Sequence, residues 1–433
     1  MPCFPHPLAR KTILIVFERL ESQVRTYSRC FPAVFEKANG AFLYDAQGKR
    51  YIDFFCGAGS LNYGHNNPAI KATILNYLNS DGIVHGLDMA TSAKARFLEQ
   101  FESVILAPRG LEYKIQFTGP TGTNAVEAAL KLARKIKKRG NIIAFTNSFH
   151  GLSSGSLAVT ARAFYRKEAF INRSNVSFMP FDGYFGKDIN TIDYIRQFIE
   201  DGSSGVDLPA AVVVETIQAE GGVRIAGTNW LRGLRSLCDQ FDMLLIVDDI
   251  QVGCGRTGTF FSFEPAQIKP DLVILSKSIS GYGLPMSLVL IKPDLDQWEP
   301  GEHTGTFRGN NLAFVSATAA LRYWETECLS QAILEKSRIL ANILQGLEVR
   351  YPQLDSQIRG AGLIYGFEIS SPQISQQVAR EAFNRGLIIE LCGARQNVLK
   401  FIPSLTIEEE VLQEGLEVIN QSINLALQKS AGA

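Results

Sequence analysis

Met243-Leu244-Leu245-Ile246-Val247-Asp248-Asp249-Ile250 is the stretch from which the fold of this chain can be read. Five consecutive apolar residues run into a pair of acids. A half-exposed strand would alternate apolar with polar residues, so an unbroken run of this length reads as a strand buried on both faces. Four more runs share the pattern: Asn141 to Thr146, Ala210 to Ile217, Asp271 to Ser276 and Ser287 to Ile291. Between them, segments such as Asn124 to Arg139 and Asn229 to Gln240 space their apolar residues as helices do. Strand–helix alternation of this kind predicts an α/β fold built on a mainly parallel sheet.

Outward from this centre the pattern changes. Leu312 to Arg322 and Ser330 to Arg350 read as long helices, and Gly360 to Ile369 as strands punctuated by glycine. Phe35 to Phe54, with the turn Asp45-Ala46-Gln47-Gly48, reads as a hairpin. A smaller α+β domain assembled from both ends of the chain is expected, from residues 1–70 and 325–433, around a large domain over 71–324.

Open α/β sheets bind ligands beyond the carboxyl ends of their strands, so the residues that end the runs matter. The run from Met243 ends in Asp248 and Asp249, that from Leu272 in Ser276 and Lys277, and that from Ala211 in Glu215. Two acids and a lysine would then face one crevice. A lysine desolvated at a buried strand end holds its amine closer to the neutral nucleophile that forms Schiff bases. Pyridoxal phosphate uses such a lysine, together with a carboxylate that keeps the pyridine nitrogen protonated. Asp248 and Lys277 suit these roles, although a solvated loop lysine would show the same local pattern. Thr118-Gly119-Pro120-Thr121-Gly122-Thr123-Asn124 precedes a helix and offers free N–H groups to an anion; a plain capped turn reads the same way.

Composition removes other classes. Among 433 residues, 43 Lys+Arg balance 43 Asp+Glu, so there is no cationic surplus to neutralise nucleic acid. The one dense basic run, Arg134 to Arg139, closes a helix, where cations favour the dipole. No apolar run approaches the roughly 18 residues of a membrane span. No secretory leader is evident, which gives a cytoplasmic expectation. The seven cysteines form no Cys-x-x-Cys pair, and His150 and His303 lack metal-ligand spacing, so neither a disulfide framework nor a metal is expected. Gly253-Cys254-Gly255-Arg256-Thr257-Gly258 matches the dinucleotide pattern, but the residues after it do not read as a helix, so NAD is set aside.

Six segments in order resemble the class III (ω-type) aminotransferases of the fold-type I pyridoxal-phosphate enzymes, a likeness that covers nearly the whole chain from Phe17. They are Thr121 to Ala129, Ser148-Phe149-His150-Gly151, Glu215 to Gly222, Asp248 to Gly253, Leu275-Ser276-Lys277 and Gly305 to Asn310. The resemblance implies that Lys277 forms the Schiff base with pyridoxal 5'-phosphate and shuttles the proton. It implies that Asp248 pairs with the ring nitrogen, Gln251 with the ring hydroxyl, and Phe149 with the ring face. Gly122 and Thr123 would hold the phosphate, and Thr306 would reach the phosphate of a partner subunit, so a homodimer or higher homo-oligomer is expected. Gly57 to Pro68, His85 to Thr91, Gly253 to Phe261 and Phe307 to Asn311 are most like the branch that moves the amino group of L-glutamate to L-aspartate 4-semialdehyde. Relatives acting on ornithine, acetylornithine or 4-aminobutyrate share the core motifs, and an aminomutase could share the fold.

Two positions depart from the family pattern. Where many relatives carry an arginine paired with the residue equivalent to Glu215, this chain has Lys400, which lacks the bidentate fork. Leu152 stands where several relatives place an arginine for the distal carboxylate. Glu215 and Lys400 are therefore the expected substrate contacts. The first 16 residues match no part of the family.

Overall fold

The computed structural model describes residues 15–166, 172, 174–186 and 188–431; most of the unmatched leader therefore lies outside the described residues. Three short antiparallel strands come first: β1 (Phe35–Asn39), β2 (Phe42–Asp45) and β3 (Arg50–Asp53). Next come β4 (Lys114–Phe117), β5 (Ile142–Phe145), β6 (Val176–Met179) and β7 (Ala211–Val214). A two-residue ribbon, β8 (Ile217–Gln218) and β9 (Arg224–Ile225), leads to β10 (Leu244–Asp248), β11 (Leu272–Leu275) and β12 (Leu288–Ile291). After two long helices, Asn311–Leu321 and Cys328–Arg350, the chain forms β13 (Gln357–Ala361), β14 (Ile364–Glu368), β15 (Leu387–Ile388), β16 (Glu390–Cys392) and β17 (Val398–Phe401).

Seven strands make the central sheet in the order β4-β12-β11-β10-β7-β5-β6. Strands β5, β6, β7, β10 and β11 run parallel, and only β12 opposes its neighbours. The run at Ser287 to Ile291 thus forms the one antiparallel strand, fully buried because β4 covers its far edge. The apolar run that ends in Asp248 and Asp249 forms β10, buried at every position. Helix Gly122–Lys137 covers one face, burying Ala125, Val126, Ala129, Leu132 and Ala133. Its last turn carries Arg134, Lys135 and Lys137, the cations expected near the negative end of the dipole.

The two ends of the chain meet. β15 adds in parallel to β3, so the N-terminal hairpin and a C-terminal strand share one sheet, while β13-β14-β17-β16 form another. The glycine run Gly253 to Gly258 is a series of turns with no helix after it. Those turns carry Arg256, which is fully buried and donates to the carbonyls of Leu363 and Pro403 and to Asn62 Oδ1. The run ties the central sheet to the C-terminal strands instead of cradling a dinucleotide.

Candidate active site

Three parallel strands end side by side, β7 and β11 flanking β10. Residues at or within two positions of their carboxyl ends, Glu215, Asp248 and Lys277, line one cavity of about 660 Å³ with Gly122, Thr123, Phe149 and Gln251. Seven of the nine residues singled out from the sequence thus meet in one place.

At one end of the cavity lies the start of helix Gly122–Lys137. Asn124 Oδ1 accepts from the N–H and hydroxyl of Thr121 at 3.3 and 2.9 Å, which fixes the first turn. Asn124 N–H donates to the Thr121 carbonyl at 3.0 Å, whereas Gly122 and Thr123, which line the cavity, stand in the first turn, where N–H groups lack intrahelical acceptors and the dipole is positive. A Cβ at Gly122 would press on Ile250 Cδ1 at 2.7 Å, so glycine keeps this cradle open. Gly151, at φ +120°, turns the chain where a Cβ would lie 2.5 Å from Thr123 Oγ1. That hydroxyl is held by Ser153 Oγ at 2.6 Å. Glu127 in turn accepts from Ser153 Oγ at 2.6 Å and from Gly155 N–H at 2.8 Å, fixing the loop against the helix.

At the other end stands Asp248, only 4% exposed. Oδ2 lies 2.7 Å from His150 Nδ1, and Oδ1 accepts from Ile250 N–H at 3.2 Å. Burial alone would lower the His150 imidazole, but its hydrogen bond and charge pairing with Asp248 hold it above its ordinary value. The His150 ring holds the Asp248 carboxylate in its orientation. His150 Nε2 is buried without a partner among the described residues. Sequence alone marks this histidine as isolated; its position next to Phe149 was the available signal.

Lys277 opens a short 3₁₀ turn after β11, with its backbone in the left-handed region at φ +52°. Burial lowers its amine, against the opposing pull of Glu220. Glu215 accepts from Phe149 N–H at 2.7 Å, and burial pushes its carboxyl up to about 8. Phe149 stands between this cavity and a second one, its ring edge-on to Tyr165 at 5.6 Å.

One expected pairing is corrected. Lys400 does not meet Glu215; its buried amine is held by Glu220, from the turn of the β8–β9 ribbon, and by Glu390 at 2.9 Å. The reason is topological. Glu215 follows β7 directly and turns toward the Phe149 loop, whereas five residues later the ribbon carries Glu220 toward β17. Glu390 lies directly across from Lys400 in the β16–β17 register. Burial would lower the Lys400 amine, but the two carboxylates hold it well above its ordinary value. Lys400 Nζ also lies 3.4 Å from Gln251 Oε1, and Gln251 Nε2 donates to the Ala58 carbonyl at 2.9 Å. Glu220 was within reach of the sequence, in the same motif as Glu215; nothing local points to Glu390. Leu152 is 52% exposed, and Thr306 lies on an exposed loop outside this cavity's lining.

A helix start that can take an anion, a carboxylate, an amine and an aromatic ring line this one cavity, a donor set that fits a flat, phosphorylated pyridine aldehyde. Comparison with known proteins agrees. Residues 24–423 match the family model described as aminotransferase class-III. A diaminobutyrate–2-oxoglutarate transaminase of Wolinella succinogenes is 60% identical over 96% of this chain and 97% of its own length. Another so named, from Bordetella parapertussis, is 57% identical over 97% of each. The ornithine aminotransferase of Toxoplasma gondii, whose crystal structure reports PLP at the active site, superposes with a TM-score of 0.83 at 25% identity, over 97% of this chain and 95% of that one.

Proposed function

Because this chain belongs to the class III aminotransferases, we propose that it is a pyridoxal-phosphate enzyme that moves the amino group of L-glutamate to L-aspartate 4-semialdehyde, giving L-2,4-diaminobutyrate and 2-oxoglutarate. The observation that carries this reading is the convergence of Lys277, Asp248 and the Gly122–Thr123 helix start on one cavity. The substrate choice is supported by the two relatives so named at 57 and 60% identity over nearly their full length.

Bound pyridoxal phosphate supplies an aldehyde for amines to condense with and a protonated ring that withdraws electrons from the substrate carbon. The protein does the rest. Gly122 and Thr123 bind the phosphate through the helix start. Asp248, held by His150, keeps the proton on the ring nitrogen. Phe149 would cover a ring face and Gln251 would meet the ring hydroxyl, both lining the cavity. Lys277 would hold the cofactor's aldehyde carbon through its Nζ, and the same Nζ, when free, would take the proton from the substrate carbon and give it back. Burial helps, since the lowered amine is more readily a base. Lys400, tied to Glu220 and Glu390, meets the glutamate α-carboxylate when that tie opens, and Glu215 borders the substrate.

The working unit in this reading is a cytoplasmic homodimer. Thr306 lies on an exposed loop beside Phe307, and Ile83, Val84, Leu87, Met89 and Phe307 are all exposed. The ring of His85 meets that of Phe307 at 5.3 Å, which brings the 83–89 segment against the Thr306 loop. A partner seated there would bring its Thr306 to this chain's phosphate. Domain limits near residues 70 and 324 suit the way the terminal strands join.

The test is a panel of amino acceptors with glutamate as donor, after spectra of the purified protein. A visible band bleached by glutamate and by borohydride, with turnover highest on aspartate 4-semialdehyde, is the expected result. Turnover without any need for 2-oxoglutarate or glutamate would point to an aminomutase, and preference for another aldehyde would end the diaminobutyrate assignment.

A further inference from the structure

Both substrates of the proposed reaction carry a carboxylate remote from the reacting carbon, and the cavity around Lys277 offers that group no free cation. Of its lining side chains, Lys277 serves the reacting atom, His150 is paired with Asp248, and Glu215 and Glu220 are acids. Lys400 is caged by Glu220 and Glu390. A site lined this way repels a second anion unless a cation comes from next door.

A second cavity, of about 1010 Å³, shares Phe149 and Glu220 with the first. Arg162 is the one cation among its described lining residues. The guanidinium carbon lies 5.4 Å from the ring centre of Phe164 and 5.5 Å from that of Tyr165. Tyr165 in turn packs edge-on against Phe149. Cation–π contacts of this kind hold a guanidinium in place, and a side-chain hydrogen bond also joins Arg162 to Tyr165. No carboxylate among the described residues forms an ion pair with Arg162. By contrast Arg359, on the neighbouring β13, is bound to Glu368 and to the Gly222 carbonyl.

We propose that Arg162 is a specificity-determining residue that receives the remote carboxylate of both substrates: the γ-carboxylate of glutamate and the α-carboxylate of the amino acceptor. The inference rests on the aminotransferase reading of the adjoining cavity. Its physical basis is the planar fork of the guanidinium, which takes a carboxylate through two parallel hydrogen bonds. The rings of Phe164 and Tyr165 hold the guanidinium, and its remaining N–H donors are left for a ligand. Arg162 lies ten residues beyond Leu152, after the short helix Ser154–Ala158, and would take over the role of an arginine there.

The probe is glutarate, which has both carboxylates and no amine, compared with butyrate, which has one. Both are titrated calorimetrically into the cofactor-loaded enzyme. Arg162→Gln is expected to weaken glutarate binding roughly 10- to 100-fold, the size of a charge-assisted hydrogen bond, while butyrate changes less than twofold. Arg162→Lys should fall between, since it keeps the charge and loses the fork; it also serves alone should the glutamine variant not accumulate. Glutarate binding within twofold of the parent in both variants, or equal losses for glutarate and butyrate, overturns the assignment. Bleaching of the parent's visible band by glutamate is followed alongside. If glutamate leaves that band intact while glutarate still depends on Arg162, the aminotransferase reading fails and the carboxylate site stands; the reverse pair of results sinks the site alone.

Discussion

Lys277 combines a buried amine with a backbone in the left-handed region, at φ +52°. A non-glycine residue there costs on the order of 1 kcal/mol, and the turn that follows β11 holds it so. That turn is held by Ser276, whose hydroxyl donates to the Met286 carbonyl at 3.0 Å, and by Ser278, which donates to the Gly59 carbonyl at 2.6 Å. Replacing the amine leaves these bonds in place. Lys277→Ala is therefore expected to fold and to bind the cofactor without a covalent link, so borohydride should fix none of it to the protein; fixation at the parent level would refute the lysine assignment. Asp248→Asn keeps the shape but removes the carboxylate that the proposed reading pairs with the ring nitrogen. Loss of one such electrostatic partner typically costs about 10²–10³ in kcat, and steady-state kinetics with glutamate showing less than a tenfold loss would contradict the role.

At the scale of the element, two carboxylates and a lysine at the β16–β17 pair make a buried triad. Removing its cation leaves Glu220 and Glu390 facing each other with nothing between them. Lys400→Met should lower stability by about 3–5 kcal/mol, and adding Glu390→Gln should restore part of the loss. Chemical denaturation of both variants checks this, and a single substitution that costs nothing would show the cage to be weak. The loop after β10 carries a different device. Asp249 is fully buried, its carboxylate accepting from the N–H and hydroxyl of Ser262. Burial pushes its carboxyl up to about 7, against those hydrogen bonds. An unfolded aspartate titrates near 3.9, so the folded chain holds the extra proton between these values. Stability then falls as pH rises from about 4 to about 7. Thermal melts between pH 5 and 8 should show Asp249→Asn free of this fall, a difference of about 2–3 kcal/mol; parallel profiles for parent and variant would show that Asp249 titrates normally.

At the scale of the molecule, the exposed apolar residues Phe307 and Ile83 and the remote position of Thr306 make one prediction together. Phe307→Asp should turn a dimer into monomers in sedimentation velocity and weaken cofactor retention by about tenfold or more, the effect of losing one charge-assisted phosphate contact. Monomers that keep the cofactor as tightly as the parent would remove Thr306 from the phosphate site. The same scale shows how far the chain could be read before its fold was known. The strand ends at Asp248 and Lys277 were legible because a doubly buried strand must be apolar throughout, so the first charge after it marks where the ligand crevice begins. The helix start at Gly122 was legible from its glycine and hydroxyls. The partner of Lys400 was not, since Glu215 and Glu220 lie five residues apart in one motif and only the β8–β9 ribbon decides which of them reaches β17.

Local rules act over a few residues, and what they determined here is the run of strands and helices, the residues that end them, and so the cofactor chemistry on offer. Tertiary structure alone decided the pairings between separated segments: Glu390 with Lys400 through strand register, His150 with Asp248 across 98 positions, and Tyr165 against Phe149. Each depends on where a loop is carried by the packing of the whole, and packing is set by the sum of all contacts and by no single stretch of chain.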